Sequence, residues 1–116
     1  MSKTVTIYHN PRCSKSRAAL ALLEERGVRP QVIEYLRTPP DAATLRDLLK
    51  KIGASAKDIV RTGEQEYKDN FRDREMSEAQ WIAALVAHPV LIERPIVVAG
   101  SRAVVGRPPE KVLDIL

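Results

Sequence analysis

The chain is 116 residues long, which suits one domain with a single modest core. With 44% hydrophobic and 29% charged residues it has the composition of an ordinary globular protein, and no apolar run approaches the roughly 20 residues that span a bilayer. Its net charge of +4 is spread without a basic block and its five aromatics are not interleaved with basic residues, so neither nucleic acid nor membrane is an expected partner.

The mild basic balance suits a small anion or an acidic protein equally well, and on charge alone a solvated surface explains it. The first ten residues, MSKTVTIYHN, carry no apolar stretch of the kind found in signal peptides. Cys13 is the only cysteine, so no internal disulfide can form. Both points lead to the expectation of a cytoplasmic protein. The single thiol also excludes an internal Cys-x-x-Cys pair and any multi-thiolate metal site.

Along the chain, the run TVTIY at 4–8 is β-branched and aromatic and reads as a strand. Ala19, Leu20 and Leu23 recur at helical spacing, which predicts a helix from Ser14 or Ser16 to about Arg26, stopped by Gly27. Residues 31–36, with Val32, Ile33 and Tyr35, read as a second strand. Strand–helix–strand at this spacing is a βαβ unit, with parallel strands and a right-handed crossover. Asp41 follows two prolines and is suited to cap a helix whose stripe is Leu45, Leu48, Leu49 and Ile52, ended by Gly53. A short helix is expected at 56–62, and loop or irregular helix at 63–75. Ser77-Glu78-Ala79-Gln80 is a capping box for a helix carrying Trp81, Ile82, Leu85 and Val86, which His88-Pro89 stops. Residues 96–99 and 103–105 read as strands joined by the three-residue connection Gly100-Ser101-Arg102. Pro108-Pro109 then opens a last helix through Val112, Leu113 and Leu116.

The order β-α-β, helices, β-β-α is that of an α/β thioredoxin-like fold with a mixed sheet. Residues 1–116 are expected to form a single such domain, with a helical insertion at about 39–90.

Cys13 lies where the first strand hands over to the first helix. A thiol there sits in the field of the helix N-terminus, which favours the thiolate. Its neighbours are polar, turn-forming and basic rather than apolar, so it reads as a reactive thiol and not as a small core residue. Ser16 occupies the position where a dithiol oxidoreductase carries its second cysteine, so the second thiol must come from another molecule. A phosphatase loop would need arginine six residues after the cysteine, where Ala19 stands, and a nucleotide P-loop motif is absent.

Two neighbours are candidates for stabilising the thiolate. His9 is placed to lower the thiol pKa by charge or hydrogen bond, or to cap the strand end. Ser16 is placed to donate a hydrogen bond to the sulfur, or to serve as an ordinary first-turn polar residue. Asn10 and Pro11 shape the turn, and His88 caps a helix end. Pro95, just before a strand, is the candidate cis-proline, which in a thioredoxin-like layout faces the active cysteine and brings Arg94 near it. Arg107 stands at a strand-to-helix junction and Arg61 closes a short helix. By spacing alone none of these three arginines stands out among the 19 basic residues.

With these residues together, the chain resembles the ArsC family, the arsenate reductases that work with glutathione and glutaredoxin. The resemblance rests on His9-Asn10-Pro11-x-Cys13-x-x-Ser16-Arg17, on the segment from His88 to Val98 containing Glu93-Arg94-Pro95, and on Arg107-Pro108 with the closing Val112-Leu113-Asp114-Ile115. It implies that Cys13 is the nucleophile on arsenate and that Arg61, Arg94 and Arg107 hold the oxyanion. It further implies glutathione as co-substrate, glutaredoxin as partner, no bound metal or organic cofactor, and a monomer. Two other readings are a regulatory protein of the Spx type that binds RNA polymerase, and a glutathione-linked thiol protein with another substrate. Ser16 in place of a second cysteine, together with all three arginines, favours the enzyme.

Overall fold

The computed structural model describes residues 4–116. The chain divides into two compact units: residues 4–38 with Arg94–Leu116, and Pro39–Glu93 between them.

The first unit is built on a four-stranded mixed sheet. Strand β1 (Val5–His9) turns Val5, Ile7 and His9 inward, the period-2 burial of a pleated strand. It is followed by helix α1 (Ser14–Glu25), whose chain reverses at Gly27 with φ +74°. Strands β2 (Gln31–Glu34), β3 (Ile96–Ala99) and β4 (Arg102–Val105) complete the sheet in the order β2-β1-β3-β4. β1 pairs parallel with β2, with His9 opposite Glu34, and antiparallel with β3, with Tyr8 opposite Ile96. Val5, Ile7, Ala19, Leu23, Val97, Ala99, Val112 and Ile115 form one buried cluster.

Three details differ from the sequence reading. β2 ends at Glu34 and not at residue 36, because the Arg37 and Thr38 N–H groups both donate back to the Glu34 carbonyl (2.9 and 3.0 Å) and turn the chain. The hairpin loop has two residues, since Arg102 pairs with Ala99; Gly100 takes φ +62° at its first position, as a type II′ turn requires. The last element, Pro109–Ile115, is a 3₁₀ helix. Its three-residue repeat aligns Pro109, Val112 and Ile115 on the buried side and leaves Leu116 exposed.

The second unit is helical. Helix α2 (Ala42–Ile52) is capped by Asp41, whose carboxylate accepts the Thr44 N–H at 2.8 Å, and ends at Gly53 with φ +81°. A 3₁₀ turn (Ala56–Ile59) stops short of residue 62 because Val60 pairs with Ile92 in an isolated antiparallel bridge. Helix α3 (Gln65–Asn70) lies in the stretch expected as loop or irregular helix. Helix α4 (Glu78–Ala87) has both halves of the Ser77/Gln80 capping box. A 3₁₀ turn (Pro89–Leu91) follows. Trp81 is buried against Tyr67 and Phe71. The unit runs to Glu93, with the Arg61 N–H donating to the Leu91 carbonyl and the Glu93 N–H to the Ile59 carbonyl. Among the described residues no helix is long and apolar enough to cross a membrane.

Candidate active site

The end of β1 runs into a tight loop shaped by Asn10. Its carbonyl accepts the Cys13 N–H at 3.0 Å, closing a turn over Pro11 and Arg12. Its side-chain oxygen accepts the Arg12 N–H at 3.0 Å. The Arg17 guanidinium donates to the Pro11 carbonyl at 3.0 Å. Cys13 emerges as the N-cap residue of α1, with extended backbone (φ −94°, ψ 124°), and its carbonyl accepts the Arg17 N–H.

The Ser16 hydroxyl is fully buried beneath this loop. It accepts the Asn10 N–H at 3.0 Å and lies 2.6 Å from His9 Nδ1. Burial pushes the His9 pKa down, the Glu34 charge opposes this, and Arg17 adds to the depression. The Nε2-protonated tautomer of the imidazole accepts from the Ser16 hydroxyl at Nδ1, and the Nδ1-protonated tautomer donates to it. Through Ser16 Oγ, which contacts both the Asn10 N–H and His9 Nδ1, this pair braces the loop from which Cys13 emerges.

Cys13 is partly exposed and free. Burial alone would push its thiol pKa up. That is outweighed by the Ser16 N–H, the Arg94 guanidinium and the Lys15 N–H, which hold it below the ordinary thiol value. The side chain closes no N-cap hydrogen bond in the strict sense. The stabilisation is that of helix-start N–H groups and a guanidinium directed at a large, polarisable anion. Ser16 therefore serves the sulfur through its backbone.

Arg94 and Arg107 flank the open end of the β3–β4 hairpin, beside the C-terminal end of β1. The antiparallel registers dictate this: Tyr8 faces Ile96, and Ile96 faces Val105. Arg107 Nη1 donates to the Arg94 carbonyl at 2.9 Å and lies 4.0 Å from Cys13 Sγ. At that distance the contact with sulfur is chiefly one of charge. The Arg94–Pro95 peptide is cis, and so is Arg107–Pro108. Only Pro95 was a candidate from the sequence.

Sequence reasoning passed over Gly106. Its N–H donates to the Pro95 carbonyl at 2.8 Å, and a Cβ there would lie 2.9 Å from Pro95 Cγ and 3.1 Å from Val112 Cγ1. Only glycine lets the strand end come this close to the buried proline.

Arg61 belongs to the helical unit. Its guanidinium is paired there with Glu64 (3.1 Å) and Glu93 (2.8 Å). His88 contacts Glu66 at 2.7 Å in the same unit. Among the described residues no three His, Cys, Asp or Glu side chains gather as a metal site would require. What the first unit brings together is a stabilised thiolate with two guanidinium groups beside it, an arrangement suited to nucleophilic attack on a tetrahedral oxyanion.

Residues 8–115 match the ArsC family. The chain is 58% identical to the uncharacterized protein YfgD of Escherichia coli K12, over 100% of this chain and 99% of that one. It is 47% identical to an arsenate reductase of Neisseria meningitidis, over 97% of each chain. The solved structure of an arsenate reductase from Vibrio cholerae superposes with a TM-score of 0.95 at 48% identity, covering 100% of both chains. In sequence over nearly its whole length, and in the fold that carries Cys13 to the start of α1, this chain belongs to the ArsC family.

Proposed function

We propose that this protein is a cytoplasmic, monomeric arsenate reductase that draws its electrons from glutathione and glutaredoxin and needs no bound metal or organic cofactor. One observation carries the reading: a thiol held below its ordinary pKa stands 4.0 Å from the Arg107 guanidinium, with Arg94 also acting on the sulfur. The names of the Neisseria and Vibrio relatives support arsenate as the oxyanion.

Arg94 and Arg107 neutralise the oxyanion so that an anionic thiolate can approach it. Arg61 is the third proposed ligand. The Cys13 thiolate attacks arsenic, an S–As bond forms, an As–O bond breaks, and hydroxide leaves as water after taking up a proton. Arsenic is still pentavalent. Glutathione then attacks arsenic and expels a second water, supplying the thiol that Ser16 lacks. A glutaredoxin thiolate attacks the glutathione sulfur. The sulfur–sulfur bond forms, the sulfur–arsenic pair stays on arsenic, and arsenic becomes trivalent. Hydrolysis of the remaining S–As bond releases arsenite and regenerates Cys13. Phosphate binds the same arginines, but nothing in this sequence reduces it.

The test is NADPH oxidation with glutathione, glutaredoxin and glutathione reductase present. Arsenate-dependent turnover is expected from the wild-type protein and none from Cys13→Ser. Phosphate should inhibit without consuming NADPH. A purified, folded wild-type protein with no arsenate-dependent rate contradicts the proposal.

A further inference from the structure

On the side of β1 away from Arg94 and Arg107, the Cys13 loop and the turn after β2 enclose a groove of about 410 Å³. His9, Pro11, Arg12, Glu34, Leu36 and Arg37 line it. Its size falls within the range of small-molecule sites, roughly 300–1,000 Å³. Three of its side chains are charged: Arg12, Arg37 and Glu34. All three are exposed, and among the described residues none of them makes an ion pair. Leu36, between two of them in sequence, is 45% exposed, one of three large apolar side chains left so open among the described residues. Arg12 directly precedes Cys13, so the groove begins one residue from the nucleophile.

Two cations, one anion and one apolar contact are the complement of glutathione, which carries two carboxylates, one ammonium and a short peptide stem. We propose that this groove is the glutathione site, with Arg12 and Arg37 taking the carboxylates and Glu34 the ammonium. The inference rests on the reading of the protein as a glutathione-dependent reductase and specifies where the second thiol enters. A three-residue peptide spans roughly 10 Å, enough to hold its ends in the groove while its central cysteine reaches the arsenic on Cys13. The sheet order makes the division of labour physical. β2 supplies the groove on one side of β1, and the β3–β4 hairpin supplies the oxyanion arginines on the other. The incoming thiol therefore need not displace the groups that hold the oxyanion. In that step the glutathione sulfur bonds to arsenic, an As–OH bond breaks, and water leaves with the thiol proton.

Two measurements test the groove. In steady-state turnover, Arg37→Glu should raise KM for glutathione at least ~10-fold, the scale of one lost charge-assisted contact, while KM for arsenate moves less than about twofold. With glutathione diethyl ester, which lacks both carboxylate charges, wild type and Arg37→Glu should agree within about twofold. Equal KM for glutathione in the two proteins overturns the proposal. Independently of turnover, glutathione titrated into Cys13→Ser should shift the backbone amide resonances of residues 34–37, and Arg37→Glu in that background should abolish the shifts. If these shifts do not occur, the groove is not the site. Shifts without any arsenate turnover in the wild type would overturn the reductase reading and leave the groove standing.

Discussion

Gly106→Ala is the substitution whose cost can be worked most directly from the structure. The new Cβ would lie 2.9 Å from Pro95 Cγ and 3.1 Å from Val112 Cγ1. Carbon atoms prefer separations of about 3.5–4.0 Å, so Pro95 must retreat by roughly 0.6 Å and Val112 by roughly 0.4 Å. Neither yields easily, since Val112 is fully buried and the Pro95 ring is rigid and equally enclosed. Overpacking of this kind costs about 1–3 kcal/mol. The stiffer unfolded chain of the alanine variant returns about 0.4–1 kcal/mol. A net loss near 1–2 kcal/mol lowers the melting temperature of a chain this size by roughly 4–8 °C. The displacement falls on the segment that anchors the site, because the Pro95 carbonyl is tied to Gly106 and the Arg94 carbonyl to Arg107. The Cys13 pKa, read from the pH dependence of iodoacetamide alkylation, should therefore rise with the loss of stability. Gly63→Ala is the control, since its Cβ would meet nothing within 4 Å. A Gly106→Ala protein that melts within about 1 °C of wild type and keeps the wild-type thiol midpoint refutes the reasoning.

Other expectations concern the thiol and its supports. Wild-type Cys13 should alkylate with a midpoint below the free-thiol value of about 8.5. Arg94→Ala should move that midpoint up and cut kcat/KM for arsenate at least ~10-fold; a midpoint and rate like wild type would remove Arg94 from the site. Because folding lowers the Cys13 pKa, this stabilisation is complete above the unfolded thiol pKa and is lost as pH falls through the folded value. His9 obeys the same sign in its own window. Its stabilisation is present above the unfolded imidazole value near 6.5 and is lost as pH falls through the lower folded value. Urea midpoints should therefore drop on acidification below about pH 6.5, and His9→Gln should flatten that drop. Ser16→Ala strands the buried Asn10 N–H and His9 Nδ1 and should cost about 1–3 kcal/mol in urea unfolding. A loss below about 0.5 kcal/mol would mean the hydroxyl is not their partner.

What could be read before the structure was what local chemistry dictates. The βαβ start, the Asp41 and Ser77 caps and the glycine stops at 27 and 53 were legible, because each depends on residues a few positions apart. So was Cys13 at a helix start. Relations between distant segments were not. Nothing near Ser16 announces that its hydroxyl meets His9, seven residues back, and nothing near residue 34 announces that β2 ends there. The final helix carries an apolar pattern compatible with either helical period. Two adjacent prolines and a three-residue burial repeat decide for 3₁₀. Gly106 was missed because its constraint lies in the Pro95 and Val112 atoms that face it, not in its neighbours. The three arginines could be told from the other basic residues only through the family resemblance. For two of them the registers of β3 and β4 now supply the physical reason.

The most direct test of the central claim is arsenic speciation after turnover with NADPH, glutathione, glutathione reductase and glutaredoxin. The account predicts one arsenite formed per NADPH oxidised by the wild-type protein, and none when Cys13 is replaced by serine or glutathione is withheld. Arsenite formed at the wild-type rate by Cys13→Ser, or no arsenite from the folded wild-type protein, would contradict it.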